Sequence, residues 1–289
     1  MSVATLWRSP ASPRPVDLPA LQAPAGIRTW LAAMSLSDRR GLSGRADTQA
    51  LLGERVVVTA RRGSWVAVVV PDQPSPLDAR GYPGWVPAVQ LTAVAPRASV
   101  REATVTARTA WLREESAASG RVVEVSFGTR LPSVGIAGAW VRVALPGGRV
   151  LRVRAGDVSV VAAGAPALSP AGTARVTSAR QFVGLPYLWA GTSGFGFDCS
   201  GLTHLVLRVH GVRIPRDAGP QSRSGRRVGP GDLRPGDQLF YAASGTVHHV
   251  TTYAGAGLVV HAPRTGAVVE VVPASTPSLA AEFTVARRY

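Results

Sequence analysis

GFGFDCSGL, residues 194–202, contains Cys199, the only cysteine of this 289-residue chain. It opens the segment DCSGLTHLVLRVHGV (198–212), in which Leu202, Leu205 and Val209 share one face of a predicted helix. Cys199 therefore falls in the first helical turn, where free backbone N–H groups and the helix dipole favour a thiolate. Two interpretations are open, a small buried apolar side chain and a nucleophile, and a nucleophile needs a base.

Histidines are the candidate bases. His249 and His261 lie in a run of predicted strands, 12 residues apart, with GAG (255–257) between them. A hairpin that turns near Gly255 makes them directly opposed neighbours on one face, with Cβ atoms about 5 Å apart, whereas His248 points to the other face. The pattern predicts His249 as base and His261 as the residue that orients it, with two core histidines as the alternative. The other two are expected to be surface or packing residues (His204 and His210).

The composition is that of an ordinary globular chain, with 46% hydrophobic residues and a net charge of +15. All 32 basic residues are arginine, scattered singly or in pairs, so we expect no nucleic-acid partner. A single cysteine excludes an internal disulfide and a multi-cysteine zinc site, and we expect no metal and no cofactor. No segment reaches the roughly 18 apolar residues of a membrane span. Prolines and Asp17 interrupt the N-terminal region, where an export signal needs an apolar run, so we expect a cytoplasmic protein; the alternative is a secreted or wall-bound one.

An internal repeat organises the first half of the chain. RRGSWVAVVV (61–70) and GIAGAWVRVAL (135–145) share the pattern Gly-x-Trp-Val-x-Val, which predicts a turn followed by a strand. Repeated short strands predict two small SH3-like all-β barrels at 1–95 and 96–162, with one larger β-sandwich as the alternative. An insertion in the first barrel, helical at about 27–34, is expected to reach a neighbouring domain. Helices followed by strands predict an α+β domain at 172–289.

The C-terminal region resembles a known family. PYLWAGTSGFGFDCSGL, IPRDAGPQ, GDLRPGDQLFY, HHVTTYAG and LVVHAPRTGAVVEV are similar to segments of the NlpC/P60 cysteine peptidases, over about residues 172–289. The resemblance implies a papain-like fold and cleavage of peptidoglycan stem peptides, mostly between γ-D-glutamate and a diamino acid. It implies Cys199 as nucleophile, His249 as base and His261 as the orienting residue.

The resemblance also implies substrate contacts. Tyr187 is expected near the oxyanion site, and Asp198 and Ser200 against the substrate. SVATLWRSP, RADTQALLGERVVV, GSWVAVVVPDQPSP and GYPGWVPAVQLT resemble the SH3b domains of bacterial γ-D-glutamyl-L-diamino acid endopeptidases, which act on free muropeptides. In these enzymes an acidic residue and a tyrosine of the first SH3b domain bind the free amine of the N-terminal L-Ala. The matching residues are Asp47, which stands where a longer Glu is expected, and Tyr82.

The sequence therefore predicts a thiol endopeptidase for free L-Ala-γ-D-Glu-diamino acid peptides, with peptidoglycan-derived peptides as partners. A secreted hydrolase of intact peptidoglycan is an alternative, and it predicts an export signal and an open groove. A non-catalytic SH3b wall-binding protein is another, and it predicts loss of the cysteine or a histidine. Acyl transfer on the same fold would call for a long apolar groove. No pattern specifies the oligomeric state or the diamino acid.

Overall fold

The computed structural model describes residues 2–116 and 120–289 of the chain. Its first antiparallel sheet is built from β1 (Val3–Trp7), β2 (Ala46–Leu51), β3 (Val57–Arg62), β4 (Trp65–Val70) and β5 (Tyr82–Pro87), and a 3₁₀ helix follows at Ala88–Gln90. The strands lie in the order β2-β1-β5-β4-β3. In β4, Val66 and Val68 point into the core while Ala67 is only half-buried, which is the alternation that the sequence pattern predicts.

The insertion in this barrel lies between β1 and β2. It forms a 3₁₀ helix (Pro15–Leu21) and two α-helices, α1 (Ile27–Ala33) and α2 (Leu36–Arg40). Ile27 and Trp30 of α1 belong to the same buried apolar cluster as Phe182 and Phe197 of the C-terminal region. The prediction that the insertion reaches a neighbouring part of the protein is therefore confirmed.

The second sheet has seven strands. They are β6 (Arg101–Val105), β7 (Thr109–Arg113), β8 (Arg121–Ser126), β9 (Arg130–Ala137), β10 (Trp140–Ala144), β11 (Val150–Arg154) and β12 (Val158–Ala162), with a 3₁₀ helix at Ala155–Asp157. Their order is β12-β6-β9-β10-β11-β7-β8. Trp65 opens β4 and Trp140 opens β10, each directly after a tight turn, so the two halves of the sequence repeat have the same local structure.

The C-terminal region begins with helices. It contains α3 (Gly172–Arg180), β13 (Thr192–Ser193), β14 (Gly196–Phe197), α4 (Cys199–Val209), α5 (Ala218–Ser222), β15 (Arg226–Val228), a 3₁₀ helix (Pro230–Asp232), β16 (Gln238–Ala243), β17 (Thr246–Gly255), β18 (Leu258–His261), β19 (Glu270–Pro273), α6 (Pro277–Glu282) and β20 (Phe283–Arg288). Its main sheet has the order β15-β20-β16-β17-β18-β19. Helix α4 packs on β17, which places the start of the helix beside the centre of the sheet.

The predicted fold class is confirmed: two β-rich SH3-like parts precede an α+β papain-like domain. Among residues 2–116 and 120–289, none of the helices is both long and apolar enough to cross a membrane.

Candidate active site

Cys199 is the first residue of α4. Asp198 caps the helix in an extended conformation, and its Oδ1 accepts a hydrogen bond from the backbone N–H of Gly201 at 2.7 Å. A Cβ at Gly201 would lie 2.1 Å from the carbonyl oxygen of Gly191, so only glycine fits there. Local structure thus explains both ends of the Asp-Cys-Ser-Gly sequence. The aspartate before the cysteine caps the helix, and the glycine after it allows a close approach of two backbone segments.

The Cys199 thiol is enclosed. The residue is 8% exposed, and its Sγ lies 4.0 Å from the carbonyl oxygen of His248. Burial raises the pKa of the thiol to about 12, and the nearby charge of Asp198 acts in the same direction. The expectation that the helix start lowers this pKa is wrong for the free protein, because loss of hydration acts more strongly on the anion than the backbone N–H groups do.

His249 and His261 are in direct contact. Their rings meet at 67°, and His249 Nε2 lies 2.8 Å from His261 Nδ1. The predicted face is confirmed, but the predicted register is wrong by two residues: Thr252 faces Val260 and Tyr253 faces Val259, so the two histidines are diagonal neighbours. The hairpin turns through Gly255, Ala256 and Gly257, all with positive φ, and a register irregularity precedes the turn.

His249 is neutral in this setting. Burial lowers its pKa to about 3, with further contributions from the neighbouring His261 and His248. Since Nε2 contacts His261, Nδ1 is the ring nitrogen of His249 that takes no part in the contact between the two histidines. A buried thiol at the start of α4 and a neutral imidazole on β17, against which α4 packs, have the chemistry of a nucleophile and a base.

The other histidines have structural partners. His248 points to the opposite face of β17, and its Nε2 lies 3.1 Å from Glu282 Oε2. His204 is fully buried, with Nδ1 3.0 Å from the Ile214 carbonyl oxygen. His210 Nε2 lies 2.9 Å from Ser178 Oγ. Both His204 and His210 are buried, so of the two expected roles, surface residue and packing residue, the structure shows packing.

Asp198 and Ser200 belong to a buried network centred on Arg216. The Arg216 guanidinium donates to Asp198 Oδ1 at 3.0 Å and Oδ2 at 2.6 Å, and to Ser200 Oγ at 3.0 Å. Its Nε donates to Thr48 Oγ1 of β2 at 2.9 Å. The Asp198 charge is therefore already matched by a fully buried cation, and the network ties the nucleophile helix to the first barrel.

Tyr187 lies close enough to Cys199 for the two side chains to interact electrostatically. It is buried and bridges to Phe197, just before the cap residue. Burial raises the pKa of its phenol, and the nearby Cys199 and Asp198 act in the same direction. The structure thus brings Tyr187 to Cys199, as the sequence predicts; its part in substrate binding stays a prediction.

An acidic cluster lies where the first barrel meets the C-terminal domain. The hydroxyl of Tyr82 donates to Asp217 Oδ2 at 3.1 Å, and Asp217 is close enough to Asp47 and Asp198 for their charges to act on it. Burial raises the pKa of Asp217, and the positive charge of Arg216 opposes that rise. Asp47 is instead paired with Arg8, whose Nε donates to its two carboxylate oxygens at 2.8 and 3.1 Å.

Three residues of this region escaped the sequence reasoning. Arg216 and Asp217 stand together in IPRDAGPQ, but only the tertiary structure shows that one meets Asp198 and the other Tyr82. Glu270 faces His261 across β18 and β19. Glu270 had a usable signal, since it is the one charged residue within GAVVEVV (266–272).

Comparison with known proteins connects this site to a family. Residues 184–288 match the NlpC/P60 family, and residues 105–160 match the YKFC SH3b2 domain. The chain is 41% identical to the gamma-D-glutamyl-L-lysine dipeptidyl-peptidase of Bacillus cereus, over 100% of this chain and 89% of that protein. The protein of the same name from Bacillus subtilis is 38% identical, over 99% of this chain and 96% of that protein. This chain belongs to the NlpC/P60 family.

A solved structure extends the likeness to three dimensions. The crystal structure of an NlpC/P60 family protein from Bacillus cereus superposes with a TM-score of 0.93 at 40% identity, covering 99% of this chain and 97% of that chain. The resemblance drawn from the sequence is confirmed, and the protein is a peptidase of the NlpC/P60 family.

Proposed function

We propose that the protein is a cysteine endopeptidase that hydrolyses the bond from γ-D-glutamate to the diamino acid in free stem peptides beginning with L-Ala. The observation that carries this proposal is the acidic cluster formed by Asp47 of the first barrel with Asp198 and Asp217 of the C-terminal domain, in which Asp198 is next to Cys199 in the sequence and the structure. The names of the two full-length relatives support the bond and the release of an N-terminal dipeptide.

The chemistry begins with two neutral groups. The Cys199 sulfur attacks the γ-carbonyl carbon while His249 Nδ1 takes the thiol proton. The tetrahedral intermediate collapses to a thioester as the imidazolium returns that proton to the leaving amine of the diamino acid. Water, deprotonated by the same imidazole, then hydrolyses the thioester and releases L-Ala-γ-D-Glu. Each proton taken by His249 is given back, so the enzyme ends as it began.

Selection for a free amine follows from the charges near Tyr82. Among the described residues, the carboxylates of Asp47, Asp198 and Asp217 lie near the guanidinium groups of Arg8 and Arg216, so this part of the cluster has one more carboxylate than guanidinium group. Arg8 and Arg216 bind Asp47 and Asp198 directly, which leaves Asp217 with the Tyr82 hydroxyl as its hydrogen-bond partner. An ammonium group placed there gains an ion pair with partly buried carboxylates, whereas an acylated nitrogen does not.

Hydrogen bonds join the first barrel to the C-terminal domain beside this cluster, which supports a role for the barrel as a wall of the substrate site. Trp189 Nε1 donates to the Ala46 carbonyl at 2.9 Å, and the backbone N–H of Thr192 donates to Gln49 Oε1 at 3.1 Å. These bonds hold β2 against the loop that leads to Cys199. Such a wall favours short free peptides over intact peptidoglycan, and the proposal includes a cytoplasmic location; cell fractionation distinguishes it from a secreted or wall-bound one.

The proposal predicts the products of two matched substrates. Incubation with L-Ala-γ-D-Glu-L-Lys should give L-Ala-γ-D-Glu and lysine by mass spectrometry, because its free amine can pair with Asp217. The N-acetylated tripeptide should be cleaved at least about 10-fold more slowly, since it offers no charge to the pocket. Cys199→Ala protein is the background control. Equal cleavage of both peptides, or cleavage at another bond, would contradict the proposal.

A further inference from the structure

The outer nitrogen of His261 lies near a carboxylate that the reaction scheme above does not use. His261 Nε2 lies 3.3 Å from Glu270 Oε1, and the two residues are paired directly across β18 and β19. His261 is 5% exposed, and among the described residues its Nε2 completes no hydrogen bond, so a small rotation of the half-exposed Glu270 side chain would supply the missing acceptor. Glu270 is thus the third member of a line that runs from His249 through His261 to the protein surface.

The contact between the two imidazoles does not by itself determine where the protons lie. A single N–H···N bond joins His249 Nε2 and His261 Nδ1, and either nitrogen can supply the hydrogen. When His249 supplies it, His249 Nδ1 keeps a free lone pair and can accept the thiol proton. When His261 supplies it, neutral His249 carries its proton on Nδ1 and cannot act as the base.

A carboxylate at the far end removes this ambiguity. An ionised carboxylate only accepts hydrogen bonds, so it favours the tautomer of His261 with the proton on Nε2. Nδ1 of His261 is then an acceptor, and His249 must donate from Nε2. We propose that Glu270 is a positioning residue that fixes the tautomers of both histidines and so leaves His249 Nδ1 free to receive the proton of Cys199.

This role rests on the proposed thiol chemistry, but the tautomers can be measured without a substrate. Protein labelled with ¹⁵N-histidine should show His261 protonated on Nε2 and His249 protonated on Nε2 at neutral pH. In Glu270→Leu, a second population with the reversed protons should appear. Leucine is the informative replacement because it fills the space, whereas alanine would admit a water molecule that could accept the same hydrogen bond.

Activity provides the second measurement. Glu270→Leu should lower kcat by roughly 10- to 100-fold with little change in KM, because fewer molecules hold a competent base. Glu270→Gln keeps an acceptor oxygen in one amide orientation, so its kcat should fall between wild type and Glu270→Leu. The matched control is Glu282→Leu, which removes the carboxylate beside His248 on the opposite face of β17 and should leave kcat within about twofold.

Three results would overturn the proposal. One is wild-type protein with His249 protonated on Nδ1. Another is Glu270→Leu protein with unchanged tautomers, whatever its activity. The third is a kcat for Glu270→Leu and Glu270→Gln no lower than that of Glu282→Leu. If the Glu270→Leu protein unfolds below the assay temperature, the ¹⁵N-histidine spectrum of the Glu270→Gln protein is the deciding measurement. A wild-type protein that fails to cleave the tripeptide contradicts the proposed function and leaves the tautomer measurement valid.

Discussion

Cys199 shows two opposing effects on one side chain. A helix N-terminus stabilises a negative charge by about 0.3–1 kcal/mol near the surface. Complete burial can shift a pKa by 3–5 units, which corresponds to roughly 4–7 kcal/mol. Burial is therefore the larger effect, and it raises the pKa of Cys199 to about 12 while it lowers that of His249 to about 3. With these pKa values Cys199 and His249 are both neutral near pH 7, and the proposed reaction transfers the thiol proton only as the substrate is attacked.

This charge state predicts how Cys199 reacts with an alkylating agent. A thiol far below its pKa has a thiolate fraction that rises about tenfold for each pH unit. The rate at which iodoacetamide alkylates Cys199 should therefore rise nearly tenfold for each pH unit between pH 7 and pH 9. Mass spectrometry of the intact protein measures this rate. Since Cys199 is the only cysteine, Cys199→Ala protein gives the background directly. A fast rate that stays constant from pH 5 to pH 8 would instead indicate a preformed thiolate–imidazolium pair.

At the level of secondary structure, β17 places two adjacent histidines on opposite faces of the sheet. Side chains alternate along a strand, so His249 faces the helix and His261 while His248 faces Glu282. The sequence register was wrong by two residues, yet the faces were right, because a shift of two preserves parity. The error has a local cause: the turn through Gly255, Ala256 and Gly257, with the register irregularity before it, is not visible in a count from the turn glycine.

Parity predicts unequal effects of two alanine substitutions. His249→Ala should lower kcat/KM by about 100-fold or more, because the thiol loses its base. His248→Ala should change kcat/KM by no more than about threefold, since His248 is half-exposed and pairs with Glu282 at the surface. Steady-state assays on the free tripeptide, with melting curves for both variants, provide the measurement. The reverse order of effects would make His248 the base and would refute the site described above.

Across the whole molecule, the site depends on contacts that no local pattern could reveal. The repeat of Trp65 and Trp140, the helix after Asp198 and the two histidines were all predictable from short-range patterns. Arg216 was not, because it joins Asp198 to Thr48, a residue 168 positions away. For the same reason the sequence could suggest Asp47 for the amine but could not show that Arg8 already binds it.

The pairing of Arg8 with Asp47 gives the first barrel a specific, testable part in substrate selection. Asp47→Ala removes one carboxylate and also leaves the Arg8 guanidinium without its partner, close to the place where an ammonium would bind. Both changes disfavour a cation, whereas an N-acetylated peptide carries no charge at that end. The informative quantity is therefore the ratio of kcat/KM for the free tripeptide to kcat/KM for its N-acetylated form.

We expect Asp47→Ala to lower this ratio by roughly 10- to 100-fold, because one partner of a half-buried ion pair is lost and the remaining cation repels the substrate amine. Adding Arg8→Ala should restore part of the ratio, since the repelling charge is then gone. Asp217→Asn should lower the ratio at least as much, because Asp217 is only partly exposed and, among the described residues, its hydrogen-bond partner is the Tyr82 hydroxyl and not a guanidinium group. Steady-state kinetics on both peptides test all three variants.

A proportional loss on both peptides would indicate a folding defect. An unchanged ratio in Asp47→Ala and Asp217→Asn would mean that the barrel only binds the cell wall, and a hydrolase of intact peptidoglycan would then be the better assignment.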